Sequence, residues 1–516
     1  MVRKPNVRVK GLLLSAVSLV VHAKQGIRNQ MRGPTMHSRT VGVLTFAVFF
    51  APLVALPAAY AQTEIVLYNF CSQPNCADGQ GPAGSLTPDG AGNFYGTTQL
   101  GGANKYGTVF ELSPNAFGGY NETVLFSFCS LQNCADGNDP TSSVIFDTVG
   151  NLYGVACAGG ANGQGVASAC RNGSNGYGVV FELSHSLGAS CPNGSNRGDG
   201  WCETVLYSFK ANPDGANPNS TLTWDAHGNL YGTTYAGGSG KGTVYELSPN
   251  DKGGWNESVL YSFCSQPSCT DGSYPNGLVQ AANASFYGAT EAGGAYAAGT
   301  VFELSQPGSG CPNGSYTGNG WCESILHAFA GHPKDGFSPS GTPVLDSAGN
   351  IYGTTAYGGT QRCDSAMGCG TVWKLTPVTT GGYTEEILHS FSSGPGPVVC
   401  CYPIRLPHYP WAGVVLDASG NIYSTTAYGG TDAFCTRTGN GYYQGCGTLF
   451  ELARIPGKKT AYRYHPLWVF NRENGANPMT SLILNGGNLY GTTYNGGPSN
   501  FCPSRDGCGI AFESTP

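Results

Sequence analysis

Short apolar runs of five or six residues alternate with turn-rich segments along most of the chain. One stretch has four such runs, at 204–209, 221–225, 229–234 and 243–247. Brief alternating runs set between turn formers predict strands rather than helices. The second and third are joined by Asp225-Ala226-His227-Gly228-Asn229. There an Asp can cap the turn with its side chain and Gly supplies a positive φ.

The same unit recurs seven times. A G-N-[LFI]-Y-type segment places a tyrosine at Tyr95, Tyr153, Tyr231, Tyr287, Tyr352, Tyr423 and Tyr490. A Gly-Gly pair follows each one, and then G-T-V-F or a variant with its aromatic at Phe110, Phe181, Tyr245, Phe302, Trp373, Phe450 and Phe512. A V-L-Y-S-F-type strand precedes every copy, ending at Phe70, Phe128, Phe209, Phe263, Phe329, Phe391 and Phe470. Seven four-stranded units match a β-propeller in blade size and blade number. One blade cannot bury both of its faces, so the copies must stack in a ring. The expected fold is therefore all-β, a seven-bladed β-propeller of four-stranded blades. The chain starts on an outer-type strand (64–70) and ends without one. The N-terminal strand is expected to complete the last blade and close the ring, leaving no open edge.

Composition agrees with this. Gly and Pro (79 and 32 of 516 residues) make up about a fifth of the chain, against an average near 12%. That excludes a helical protein, and 40% hydrophobic residues exclude a disordered one. A net charge of −6 provides no basic footprint for nucleic acid.

Two apolar stretches precede the repeats. The second, at 41–57 behind Met36, His37 and Arg39, ends in Ala59-Tyr60-Ala61 and reads as a secretory signal cleaved near Ala61. A membrane-anchored reading of that stretch is the alternative. The first stretch, 11–21, is about half the length of a bilayer span. Residues 1–35 are read as a weak N-terminal extension or a misassigned start, 36–61 as the signal peptide and 62–516 as one propeller domain. The mature chain is expected to carry no membrane span and to be secreted, extracellular or periplasmic.

Eighteen of the 20 cysteines fall into close pairs: Cys71 with Cys76, Cys129 with Cys134, Cys157 with Cys170, Cys191 with Cys202, Cys264 with Cys269, Cys311 with Cys322, Cys363 with Cys369, Cys435 with Cys446 and Cys502 with Cys508. Behind a signal peptide these predict disulfides, each closing a short loop at roughly 2–3 kcal/mol apiece. Structural zinc wants C-x2–4-C pairs converging in fours, which this scatter does not supply. Cys400 and Cys401 are adjacent, and can either bond to each other with strain or each pair elsewhere.

Units such as the one running from Asp214 to Leu247, D-G-A-N-P-N-S-T-L-T-W-D-A-H-G-N-L-Y-G-T-T-Y-A-G-G-S-G-K-G-T-V-Y-E-L, resemble the GloVer (Gloeo/Verruco) repeat of secreted bacterial proteins. The resemblance covers 64–516. It implies an extracellular repeat protein, no anchor in a chain that stops inside its last repeat, and no particular reaction.

Candidate chemistry is sparse. D-G-x-x-P recurs at Asp78, Asp136, Asp214, Asp271 and Asp335, with Asn474 in the seventh copy and no counterpart in the sixth. A ring of carboxylates can gather cations, but residues identical in every unit usually serve the unit, so a turn-fixing role is expected. The hairpin residues Asp89, Asp147, Asp225, Asp346 and Asp417 are read likewise, and His327 and His389, in the tyrosine position of the outer strand, as packing. Nucleophile-elbow, zincin, P-loop and dinucleotide signatures are missing, so neither cofactor nor metal is expected.

Departures from the repeat carry more information. The sixth unit substitutes 392–411 for D-G-x-x-P, bringing Tyr402, Arg405, His408, Tyr409 and Trp411, and its other loop on the same face adds Tyr442 and Tyr443. Aromatics with Arg and His on adjacent loops can form a stacking platform, and these seven residues are the candidate ligand site. The alternative is a long loop folded over its own small core. The function expected first is an extracellular binding or structural module for carbohydrate or a cell-surface protein. The second is a polysaccharide hydrolase or lyase at the channel mouth. A cluster of non-repeated acidic residues at that mouth would favour the enzyme, and an aromatic shelf without one would favour binding.

Overall fold

The computed structural model describes residues 64–516 except 164–169, 171–174, 186–190, 192–194, 197–199, 307–310, 312–313, 317–319, 364–366, 380, 393–394, 400–401, 432–434, 436–444, 459–460, 499–500 and 504–505. Seven antiparallel blades form a β-propeller. The third is typical, with an inner strand in two pieces (Gly215–Pro218 and Thr223–Trp224), then Leu230–Gly237, Thr243–Pro249 and an outer strand Trp255–Ser262. The strands overlap the predicted runs, but the inner one breaks between Pro218 and Thr223 and gives the channel an irregular wall. In the seventh blade the outer strand is Glu64–Asn69, paired antiparallel with Ile510–Ser514 from Glu64↔Ser514 to Asn69↔Ile510. The N-terminal strand therefore closes the ring.

Blades pack through aromatic rings. The third-strand aromatic of each blade meets the Phe that ends the outer strand of the blade before it, and all seven pairs have centroids 4.9–5.6 Å apart: Phe70–Phe110, Phe128–Phe181, Phe209–Tyr245, Phe263–Phe302, Phe329–Trp373, Phe391–Phe450 and Phe470–Phe512. Both members of every pair are buried. In all seven blades a β-bulge or register shift in the third–fourth strand pairing sits at this aromatic. Bulges sharpen strand twist and aim the ring at the neighbouring blade.

All nine cysteine pairs are bonded as the sequence predicts, and they fall into three kinds. Cys71 is joined to Cys76, Cys129 to Cys134 and Cys264 to Cys269, each with Cα atoms 4.0 Å apart. In these three, Cys76, Cys134 and Cys269 end single 3-10 turns, Pro74–Cys76, Gln132–Cys134 and Pro267–Cys269, just after the outer strand. Cys191 is joined to Cys202 and Cys311 to Cys322, with Cα atoms 5.5 Å apart. Cys202 and Cys322 are buried on the outer strands Trp201–Ser208 and Cys322–Ala328, so these two bonds tie the twin C-P-N-G-S loops to their own blades. Cys157 is joined to Cys170, Cys363 to Cys369, Cys435 to Cys446 and Cys502 to Cys508, across the connections between second and third strands. Cys400 and Cys401 lie outside the described residues. No helix among the described residues is long and apolar enough to cross a membrane.

The hairpin aspartates take the turn role the sequence assigns them. Asp225 Oδ1 accepts from the His227 and Asn229 amides at 2.8 and 2.9 Å, and Asp89, Asp147, Asp346 and Asp417 accept in the same way. The Asp of D-G-x-x-P does more than fix a turn. Asp78 is buried and takes the Ser72 amide at 2.8 Å and the Tyr68 hydroxyl at 2.8 Å. It also lies against Glu122 on the outer strand of the next blade, as Asp136 lies against Glu203, Asp214 against Glu257, Asp271 against Glu323 and Asp335 against Glu385. Oε1 of each of these glutamates is buried and finds no donor. Two of the glutamates, Glu257 and Glu385, also hydrogen-bond their aspartate, which requires a carboxyl proton between the two groups. Burial and the neighbouring aspartate accordingly push Glu122, Glu257 and Glu323 up to about 8, and Glu385 to about 7.

Candidate functional site

The channel mouth is assembled from one backbone device. In every blade the residue before the recurrent proline has a positive φ of 55–63°: Gly81, Asp139, Asn217, Tyr274, Ser338, Tyr409 and Asn477. Its amide donates across to the preceding blade at 2.7–3.0 Å, reaching Cys508, Tyr106, Tyr177, Lys241, Ala298, Cys369 and Cys446 carbonyls in that order. The proline ring packs on the glycine that follows the acceptor, as Pro275 does on Gly242, where φ is 98° and any Cβ would strike the ring. That contact explains the invariant glycine of G-T-V-F. The sixth unit, which lacks D-G, keeps this clasp through Tyr409-Pro410.

The clasp fixes the backbone and leaves the side chain beside it free to vary. So does the position after Thr-Thr at the end of the second strand, which reads Gln99, Cys157, Tyr235, Glu291, Ala356, Ala427 and Tyr494 around the ring. The two positions meet between neighbouring blades. Tyr235 stacks on Tyr274 at 4.6 Å, and Tyr494 lies over Gly81. In the fifth blade the aromatic stands one residue later, and Tyr357 packs edge-on against Tyr409 at 5.1 Å.

Four of these residues, Glu291, Ser338, Ala356 and Tyr357, line a central cavity of about 470 Å³ to which all seven blades contribute. Its walls are serines, threonines and asparagines of the inner strands and their breaks, including Ser142, Asn219, Asn276, Ser340 and Thr480, with Glu291, Tyr357 and Trp411 toward one side. A second hollow of about 240 Å³ lies between Gln99, Tyr235 and Tyr494, beside the Cys157–Cys170 disulfide. Glu291 is the one carboxylate among the described residues that line either space. Its burial alone pushes the carboxyl up to about 7, and Tyr235 and Tyr357 are raised first by their own burial and then by neighbouring charge that includes Glu291.

Of the seven residues singled out from the sequence, Trp411 lines the cavity and packs edge-on against Tyr428 at 5.7 Å. Tyr409 is 7% exposed and carries the sixth clasp. His408 is buried, bonded through Nδ1 to the Leu406 carbonyl at 2.9 Å and stacked on Tyr428 at 5.8 Å. Tyr402 and Arg405 belong to the strand Tyr402–His408, which pairs with Pro395–Val399 and Tyr428–Thr431. Tyr442 and Tyr443 lie outside the described residues. Sequence reasoning missed Tyr235, Glu291, Tyr357 and Tyr494. The signal was present: two positions vary freely inside a segment that otherwise keeps close to Y-G-T-T-x-x-G-G.

His327, Asp335 and Glu385 bring three potential metal-ligand atoms within 4.8 Å of one another. At three other junctions Tyr68, Tyr207 and Tyr261 occupy the place of His327 and donate to the equivalent aspartates, Asp78, Asp214 and Asp271. The histidine is therefore the local variant of a repeated hydrogen-bonded junction.

A search of curated proteins finds no match. Among solved structures, a candidate 6-phosphogluconolactonase from Bacteroides uniformis aligns at 12% identity and TM-score 0.41, covering 79% of this chain and 88% of its own. An ulvan lyase, described as representing a new family of polysaccharide lyase, aligns at 10% identity and TM-score 0.35, covering 68% and 78%. The Gloeobacter/Verrucomicrobia repeat matches residues 167–317, 242–436 and 312–507. With the repeat detected over most of the chain and all seven copies folded as blades of one ring, this protein belongs to the Gloeobacter/Verrucomicrobia repeat family.

Proposed function

We propose that this protein is a secreted binding propeller that takes carbohydrate at the mouth of its central channel. The carrying observation is the set of aromatic side chains, Tyr357 and Trp411 on the polar-walled cavity and Tyr235 and Tyr494 on the adjoining hollow, carried on a backbone held by seven clasps. Aromatic faces stack on the apolar faces of sugar rings, while Ser, Thr and Asn satisfy the hydroxyls. Nine disulfides and the signal-like segment at 36–61 support an oxidising, extracytoplasmic setting. Hydrolysis by paired carboxylates calls for two acids roughly 5–10 Å apart. The described lining offers Glu291 alone, which supports binding over hydrolysis.

A glycan-array screen of residues 62–516 tests this reading, with Trp411→Ala and Tyr357→Ala measured beside the parent chain. Binding to an oligosaccharide, weakened about tenfold or more in either variant while the melting temperature holds, is the expected result. Binding unaffected by both variants places the sugar elsewhere, and an empty array rejects the carbohydrate reading.

A further inference from the structure

We propose that the sugar recognised at this mouth carries a free amine, so that its ammonium group sits against Glu291 between tyrosine faces. The inference rests on the carbohydrate reading above and narrows it to a ligand class.

The argument begins with what Glu291 lacks. It occupies one of the seven variable positions, its carboxyl opens into the central cavity, and no described protein group donates a hydrogen bond to it or pairs with its charge. The junction glutamates are also removed from water, their Oε1 atoms more so than the half-buried Glu291, but each of them faces an aspartate or, in the case of Glu64, accepts from Asn474. Glu291 has only the cavity. Lys241, on the neighbouring blade, is engaged elsewhere: its Nζ donates to the Tyr274 hydroxyl at 2.5 Å and lies 4.8 Å from the centre of that ring.

The surroundings of the carboxyl are aromatic. Tyr235, stacked on Tyr274, comes from the preceding blade, and Tyr357 comes from the following one. Both tyrosines lie close enough for the Glu291 charge to raise them. A desolvated carboxylate is costly without a cation. An ammonium gains both from such a carboxylate and from adjacent ring faces. A neutral hydroxyl gains less, and a uronate or sulfated sugar meets like charge as soon as Glu291 ionises. The remaining wall of Ser338, Ser340 and Asn276 supplies uncharged partners for the rest of the sugar.

Titration calorimetry on the intact mature chain tests the inference. The probes are a glucosamine oligosaccharide, its fully N-acetylated counterpart, a galacturonate oligosaccharide and an oligolysine, each offered to the parent chain and to Glu291→Gln. The expected result is that the free-amine sugar binds about tenfold or more tighter than the acetylated one. Glu291→Gln should reduce that preference to within about twofold, chiefly by weakening the free-amine sugar. At pH 6, where Glu291 begins mostly protonated, amine binding should also release close to one proton, read from the buffer dependence of the enthalpy. That release should vanish in the variant, whose fold is checked by its melting temperature.

Equal affinity for the free and acetylated sugars overturns the amine inference and leaves the carbohydrate reading in place. So does a preference for the uronate, or an amine preference that survives Glu291→Gln. Binding of the oligolysine with none of the sugars overturns both readings in favour of a protein ligand.

Discussion

The junctions between blades and the mouth of the channel are built from the same seven units and use them in opposite ways. At the junctions the side chains repeat: a buried Asp, a facing Glu and an aromatic pair recur around most of the ring. At the mouth the backbone repeats and the side chains do not, so one clasp geometry displays Gly81, Asp139, Asn217, Tyr274, Ser338, Tyr409 and Asn477. What recurs holds the ring together; what varies on a constant backbone is available for a ligand. The contrast holds within the junctions too. Between the fifth and sixth blades no carboxyl pair occurs among the described residues, and His389 stacks on Tyr464 at 4.7 Å.

That difference gives the largest expected effect, which is on pH. The junction glutamates have folded values near 7–8 against an ordinary 4.5. A group whose folded value is raised contributes stability that is complete below its unfolded value and is lost as pH climbs through the folded one. Stability should therefore fall between about pH 4.5 and 8, by on the order of 5 kcal/mol summed around the ring after discounting for partial exposure. His389 behaves oppositely. Burial lowers it to about 4 from 6.5, so its contribution is present above 6.5 and is lost as pH drops toward 4. Urea unfolding from pH 4 to 9 should show its highest midpoint on the acid side, and Glu122→Gln should flatten the alkaline limb. Hydrogen exchange would sharpen the comparison: protection should be lost first around 383–390 and 462–469 in acid, and at the other junctions in base. A flat profile from pH 5 to 9 would break the carboxyl-pair account.

Next in size is the aromatic packing. Phe302 is fully buried against Phe263 at 5.0 Å. Phe302→Ala should cost about 3–5 kcal/mol, whereas Trp411→Ala at the mouth should cost about 1 kcal/mol or less, since a half-buried side chain leaves no closed cavity. Chemical denaturation of the two variants checks the pair. Comparable losses would mean that the mouth is part of the structural core.

The ring was legible in the sequence because its causes are periodic. A core aromatic and a glycine under a proline ring are required in every blade and left seven copies each, and a capping Asp recurs in five. The disulfides were legible for a simpler reason: each partner, as with Cys129 and Cys134 or Cys311 and Cys322, lies within one loop of the other. The outer-strand glutamates escaped notice because their partners belong to the next unit, about 44–67 residues away (Asp78 to Glu122, Asp136 to Glu203), and nothing local marks such a pair. The site was legible only in part. Trp411 stood out because the sixth unit departs visibly from the others. Glu291 sits inside an unremarkable repeat, and only the convergence of seven second strands on one opening reveals that its position differs in each blade. His408 drew attention as an aromatic–basic neighbour of Tyr409, and the structure buries it beneath Tyr428.

The smallest expected effect separates the two regions most sharply. Burial alone raises the folded value of Glu291, whereas burial and then a neighbouring aspartate raise that of a junction glutamate such as Glu122. Glutamine at 291 keeps the shape and removes the ionisation. Above pH 7 the parent chain holds a charge that folding has shielded from water, and the variant does not. Glu291→Gln should therefore be about 1 kcal/mol more stable than the parent at pH 8 and equal to it at pH 4.5, where both side chains are neutral. Thermal unfolding at the two pH values reads the difference directly. A gain confined to the higher pH would mark Glu291 as a group that lowers stability and is kept for what the cavity binds. A loss at both values would instead make it one more element of the ring's own packing.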